Sequence, residues 1–136
     1  MTKSTGLGWT TFSVDDSGGT ARAIINDVTD LDFATPRGVQ DVTGLDKSAI
    51  ERLLLLADFS CTPKGVWNPG ATTTAHAVFS TVPSTSVART TTIVISAKTL
   101  ANEVLFTDYS LSRAQSGEFT WQAPGVLADG TVPTWS

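Results

Sequence analysis

ARTTTIVISAKTLANEVLFTDYSLSRAQSGEFTWQ, residues 88–122, is the stretch that decides the fold class. It reads as three consecutive strands on a two-residue period. In the first, Ile93, Ile95 and Ala97 share one face and Thr90, Thr92 and Ser96 the other. In the second, Leu105, Tyr109 and Leu111 oppose Asp108, Ser110 and Ser112. In the third, Phe119, Trp121 and Ala123 oppose Glu118, Thr120 and Gln122. Side chains alternate across a strand, so this pattern predicts one face in a core and one face in water. The wet face carries hydroxyls, a few carboxylates and no cluster of reactive groups. It reads as a surface built for contact, not a cleft built for chemistry.

Working outward, residues 1–8 read as a loose arm and 9–15 as a strand, with Phe12 and Val14 on one face. Asp15-Asp16-Ser17-Gly18-Gly19 makes a turn, because glycine supplies the positive φ of a tight reversal. Residues 20–26 return as the partner strand. Residues 27–44 are the least regular, with Pro36-Arg37-Gly38 at their centre, and predict a long projecting loop. Its apolar Leu31, Phe33, Val39 and Val42 suit a loop that grips a neighbour. Asp46 opens an expected short helix, with Leu45 and Ile50 as its hydrophobic staple and Ala49, Ile50, Leu53 and Leu54 on one face. Residues 55–62 then read as a strand interrupted at Pro63-Lys64-Gly65. Residues 72–79 predict a second helix carrying Ala75, Val78 and Phe79. The strands of 88–122 are joined through 97–102 and Gln115-Ser116-Gly117, and 124–136 form an extended tail. The fold class is therefore mainly β with one or two short helices, a β-sandwich or partial barrel in one domain.

Composition narrows the function. The 136 residues are enough for one domain with a real core. Apolar residues make up 40% and charged ones only 16%, which excludes disorder and leaves an easily desolvated exterior suited to self-association. The net charge of −4, with Arg22, Arg37, Arg52, Arg89 and Arg113 scattered, argues against a grip on nucleic acid. The single cysteine, Cys61, excludes an internal disulfide and continues an apolar alternation with Leu55, Ala57 and Phe59, as a buried thiol would. No run is apolar and long enough for a membrane-spanning helix, and residues 1–8 lack a signal-peptide core, so a cytoplasmic origin is expected.

Candidate chemistry is thin. His76 is the one histidine, and no serine sits in a Gly-x-Ser-x-Gly setting. Asp15, Asp16, Asp27, Asp30 and Asp32 match no calcium-loop spacing. No catalytic, cofactor or metal residue is assigned. Trp135 stands one residue from the end of the sequence and either docks on its own domain or anchors in a neighbour. The uncharged strand 90–96 is acceptable if it is central, or at a sheet edge if another copy pairs with it, which would close several sheets into one barrel.

The segments DVTGLDKSAIERLLLLADFSCTPKGVWNPG (41–70), TTAHAVFSTVPS (73–84) and TLANEVLFTDYSLSRAQSGEFTWQAPGVLADGTVPTW (99–135) resemble the major tail tube proteins of long-tailed, siphovirus-type bacteriophages, particularly those of actinobacteria. The resemblance implies a β-sandwich or partial barrel flanked by a helix, assembled as stacked hexameric rings. It implies a tape-measure protein inside, terminator and distal tail proteins at the ends, and genomic DNA passing without specific binding. Leu31, Phe33, Pro36, Arg37, Gly38, Val39 and Trp135 would make inter-subunit or inter-ring contacts. Thr90, Thr92, Asp108 and Ser110 would face the lumen, where an acidic wall lets a polyanion slide. The competing expectations are another virion structural protein (terminator, connector or decoration protein) and a monomeric carbohydrate-binding module using Trp67 and Trp121. An enzyme working through His76 ranks behind both.

Overall fold

The first strand, β1 (Trp9–Asp15), turns through Gly19, whose φ of 85° only glycine adopts freely, into β2 (Ala21–Ala23). The turn is held by Asp16, whose Oδ1 accepts the amides of Gly18 and Thr20 at 2.9 and 3.0 Å. Phe12 and Val14 are fully buried, as the alternation requires. The computed structural model describes residues 3–136, so the first two residues of the expected arm lie outside the described residues.

Beyond this hairpin come β3 (Val28–Ala34), β4 (Arg37–Asp41), β5 (Arg52–Ala57) and β6 (Ser60–Val66). The helix α1 (Ala75–Phe79) follows, then β7 (Arg89–Ile95), β8 (Lys98–Phe106), β9 (Ser110–Arg113), β10 (Phe119–Gln122) and β11 (Gly125–Leu127). Nine strands form one antiparallel sheet in the order β2-β1-β7-β8-β11-β6-β10-β9, with β3 on the free side of β6. β10 and β11 run end to end along β6, linked where Ala123 N–H donates to Pro63 O at 3.1 Å. β4 and β5 form a separate two-stranded sheet. The large sheet curls into a half-barrel around the core, and the mainly β expectation holds.

The helix sits where residues 72–79 predicted it. Thr74 Oγ1 accepts Ala77 N–H at 3.1 Å, and the buried Asp27 accepts Ala75 N–H at 2.8 Å. These caps satisfy amides that the first turn leaves free. Val78 and Phe79 are fully buried, and the Phe79 ring packs edge-on to Phe106 at 4.8 Å and tilted on Trp121 at 5.4 Å. Removing such an aromatic costs about 3–5 kcal/mol.

Four expectations are corrected. Residues 27–44 are not an irregular loop, since β3 pairs with β6 and β4 with β5. The helix expected from Asp46 is absent: Arg52 and Leu53 begin a strand paired with Asp41 and Gln40. Pro63-Lys64-Gly65 does not interrupt a strand but lies inside β6, where Pro63 faces Leu31 across the pair. Residues 97–102 are not a linker. Ser96 (φ 49°) and Ala97 (φ 64°) form a two-residue reversal that brings Lys98 opposite Ile95, so β8 starts at once. That start fixes the parity of β8: Leu100, Asn102, Val104 and Phe106 point inward, and Leu105, expected inside, is exposed. The two left-handed residues are strained without glycine. Ala97→Gly should therefore raise stability by about 0.5–1 kcal/mol, read as a shifted urea midpoint.

Arg89 is buried in this core without a carboxylate partner among the described residues. It donates to Asp15 O at 3.0 Å, Val78 O at 3.1 Å and Thr81 Oγ1 at 2.9 Å, tying β1, α1 and the following turn together. Burial lowers its pKa, opposed by the nearby Asp16 and Asp15 charges. Arg89→Met keeps the bulk but removes all three donated bonds, leaving Asp15 O without this donor and Val78 O with only the Thr81 hydroxyl at 3.3 Å in its place. It should cost about 2–4 kcal/mol, checked by chemical denaturation.

Candidate functional site and assembly surfaces

One face of the half-barrel is a wall of hydroxyls. The pairing registers set Thr11 and Ser13 of β1 beside Val94 and Thr92 of β7, and Thr90 beside Glu103 of β8. Further round, Ser60, Thr62 and Lys64 of β6 pair with Ala34, Asp32 and Asp30 of β3. Thr120 and Gln122 of β10 pair with Ser112 and Ser110 of β9. The opposite face of the same strands holds Phe12, Val14, Ile93, Cys61 and Trp121, all buried. Strict alternation makes the wall wet because its reverse side is the core.

Of the expected lumen residues, Thr90 and Thr92 are half-buried within this wall, and the Thr90 hydroxyl donates to a Glu103 carboxylate oxygen. Ser110 is exposed at the β9 end and reaches Gln122 O at 3.3 Å. Asp108 lies in the connection between β8 and β9, exposed, accepting Tyr109 N–H at 2.8 Å. The pairing brings Asp30, Asp32, Thr62 and Lys64 to the same wall. A reading of residues 27–44 as a loop and of Pro63 as a break hides Asp30, Asp32 and Lys64, because only the long-range β3–β6 pairing places them there.

The second surface is the β4–β5 hairpin. Its register runs from Arg37 opposite Ala57 to Asp41 opposite Arg52. At its base Arg37 Nε donates to Leu55 O at 2.9 Å, and towards the tip Thr43 Oγ1 accepts Glu51 N–H at 2.8 Å. Leu53, Leu54, Leu55 and Leu56 are all exposed, Leu56 to 91%, so neither face of this ribbon meets the core. Val39, Val42, Ile50 and a fully exposed Leu45 extend the apolar surface to the tip. These eight side chains run along the hairpin on both of its faces, exposed apolar surface of the kind that marks a contact site. Four successive leucines without a polar side were the signal for it, one that helical spacing obscured. A groove of about 810 Å³ lies at the hairpin base, lined by Thr35, Arg37, Leu54–Ala57, Val132 and Pro133.

The expected contact residues divide between two places. Pro36, Arg37, Gly38 and Val39 stand exposed at or near the hairpin base. Leu31 and Phe33 instead turn to the interior from β3, where Phe33 packs against Trp9 at 6.0 Å and Phe59 at 6.5 Å. Trp135 bridges to Leu100, and Ser136 and Thr99 exchange two backbone hydrogen bonds of 2.9 Å. Its ring lies 6.1 Å from Phe33 and remains 47% exposed, so Trp135 docks on its own domain.

The chain also brings together groups that could have done chemistry. His76 Nδ1 lies 3.2 Å from the Tyr109 hydroxyl, with the Trp67 ring edge-on at 4.5 Å, and no carboxylate bonds to it among the described residues. Burial, aided by the Asp27 charge, pushes the Tyr109 hydroxyl up to about 12, so it stays protonated. Burial also pushes the Cys61 thiol to about 12, which keeps it from acting as a thiolate. Trp121 is buried, and Trp67 packs between His76 and Phe119, so these two cannot form the exposed platform of a carbohydrate module. Among the described residues no group of three His, Cys, Asp or Glu could hold a metal ion.

The fold of this chain has solved counterparts. A chain in the structure titled "Tail of empty GTA particle computed with helical refinement, C6 symmetry" overlays this one with a TM-score of 0.76, covering 98% of each chain at 15% identity. The fold is shared with a tail-particle chain. A second overlay, on a chain of the "Virion of native gene transfer agent (GTA) particle", also scores 0.76, covering 98% of this chain and 99% of that one at 13% identity. Both likenesses cover nearly the whole chain, although sequence identity is low. No protein-family model matches the chain, and no curated protein matches it.

Proposed function

We propose that this protein is a structural subunit of a phage-like tail tube, of the siphovirus type that the sequence resembles. Its copies form hexameric rings that stack into a hollow conduit. The observation that carries the reading is the overlay, complete in both directions, on a chain of a C6-symmetric helical tail. The exposed hairpin supports it independently, because a ribbon apolar on both sides marks a contact surface that other copies can cover. The protein works by contact and is not an enzyme.

In this reading the hydroxyl wall lines the lumen, and Thr90, Thr92, Asp108 and Ser110 stand on or beside it. Hydroxyls offer weak, exchangeable hydrogen bonds, and the acidic balance of −4 per copy repels phosphate, so DNA passes during ejection without sticking. Pro36, Arg37, Gly38 and Val39, with the exposed half of Trp135, meet neighbouring subunits. Leu31 and Phe33 brace the strand that leads into the hairpin. A tape-measure protein fills the lumen before DNA, and terminator and distal tail proteins close the ends. Assembly takes place in the host cytoplasm, and the product is part of the virion tail.

Concentrated pure protein should form hollow tubes of uniform width in negative stain. Particles that remain monomeric at millimolar concentration in sedimentation would overturn the reading, and isolated rings without stacking would favour a terminator or connector. Asp108→Lys places a cation beside the lumen. It should leave particle yield unchanged and slow DNA release several-fold, most strongly at low salt. Release at the wild-type rate would move Asp108 out of the lumen.

A further inference from the structure

The hairpin carries both a knob and a hole, at opposite ends. The knob is its tip, where Leu45 is fully exposed and Ile50 more than half exposed. The hole is the groove at its base, walled by Leu54, Leu55 and Leu56 on one side and by Val132 and Pro133 on the other. Four to six residues of strand separate them, about 15 Å at the rise of a strand, so a tip cannot fold back into its own groove.

Resting on the self-assembly reading above, we infer that the tip of one copy seats in the basal groove of the next, with Leu45 as the inserted side chain. A second copy is the fitting occupant on two grounds. The groove presents mainly apolar side chains and the tip offers two without cover. Charge agrees as well: Arg37 lines the groove, while the tip carries Asp41, Asp46 and Glu51 against Lys47 and Arg52. A knob and a hole at different places on one molecule make a head-to-tail contact, which propagates from copy to copy instead of stopping at a pair. This arrangement also gives the 128–136 segment a task, because its docking through Leu100 and Thr99 builds the outer wall of the hole.

Leu45→Cys/Val132→Cys, oxidised with copper phenanthroline at assembling concentration, tests the contact. Both positions are exposed, and the native Cys61 thiol is buried and stays silent. A covalent ladder of dimers, trimers and higher species is expected from the double variant, with each single variant remaining monomeric on a denaturing gel. Tubes that form normally but yield no ladder would overturn the inference while sparing the assembly reading. Cross-linking by Leu45→Cys alone would replace it with a tip-to-tip contact. A double variant that stays monomeric and floats with neutral lipid vesicles would overturn both, and assign the tip to a membrane.

Discussion

Leu54→Asp combined with Leu56→Asp should abolish self-association while the domain stays folded. Both side chains lie on one face of β5 and are exposed in the single subunit, so the variant removes nothing from the core. Surface changes of this kind usually move stability by less than about 0.5 kcal/mol, and the urea midpoint should scarcely shift. Association responds very differently. Each leucine withdrawn from a covered interface loses about 2 kcal/mol, and the pair therefore about 4 kcal/mol, or a thousandfold in affinity. Burying the new carboxylates unpaired would add to that loss. Sedimentation should show only monomers at concentrations where wild-type protein forms tubes. Normal tubes from this variant would remove the hairpin from the interface. Deleting Arg37 and Gly38 tests the same ribbon from its base, because Arg37 pairs with Ala57 and a two-residue loss rebuilds the register.

The second large effect belongs to the fold. Gly65→Ala should cost more than about 4 kcal/mol, enough to bring the domain near the edge of its stability. Gly65 lies in β6 between β3 and β10, opposite Val28 and Trp121. A methyl group there would fall on the backbone carbonyl of Asp27 and stand 2.9 Å from Trp121 Nε1. A carbonyl cannot rotate aside as a side-chain tip can. The chain at Asp27 would have to retreat, and Asp27 also accepts the Ala75 amide and the Asn68 side-chain amide. One methyl would thus loosen the β3–β6 pairing and the start of α1 together. Differential scanning calorimetry or urea titration reads the loss; a midpoint within error of wild type would mean that β3 yields freely.

The residues that could be placed from sequence share a property: their structure is decided by neighbours close in the chain. Strand β1 follows from Phe12 and Val14 alternating with Thr11 and Ser13, its turn from Gly18-Gly19, and the helix from Thr74 capping Ala75, Val78 and Phe79. Strand β10 follows from Trp121 and Ala123 facing inward. The failures share the opposite property. Ser96-Ala97 gives no glycine signal for a tight reversal, and only the pairing of Ile95 with Lys98 makes one. The apolar residues at 45–56 suit a helix as well as a strand when nothing says what they cover. Pro63 breaks a strand in isolation but is tolerated here, since it still accepts from Ala123 and has no amide to leave unpaired.

Sequence alone determined the β character of the chain, the hydroxyl-rich wet face, the buried thiol at Cys61 and the want of charge clusters for nucleic acid. Each of these is a local or additive property, carried by side-chain alternation and composition. Tertiary structure alone decided that β3 joins β6, that Asp30, Asp32 and Lys64 extend the wall, and that residues 37–57 leave the barrel as an apolar ribbon. Strand pairing links residues far apart in the chain. Which of two apolar runs enters the core therefore depends on partners that no short window of sequence contains.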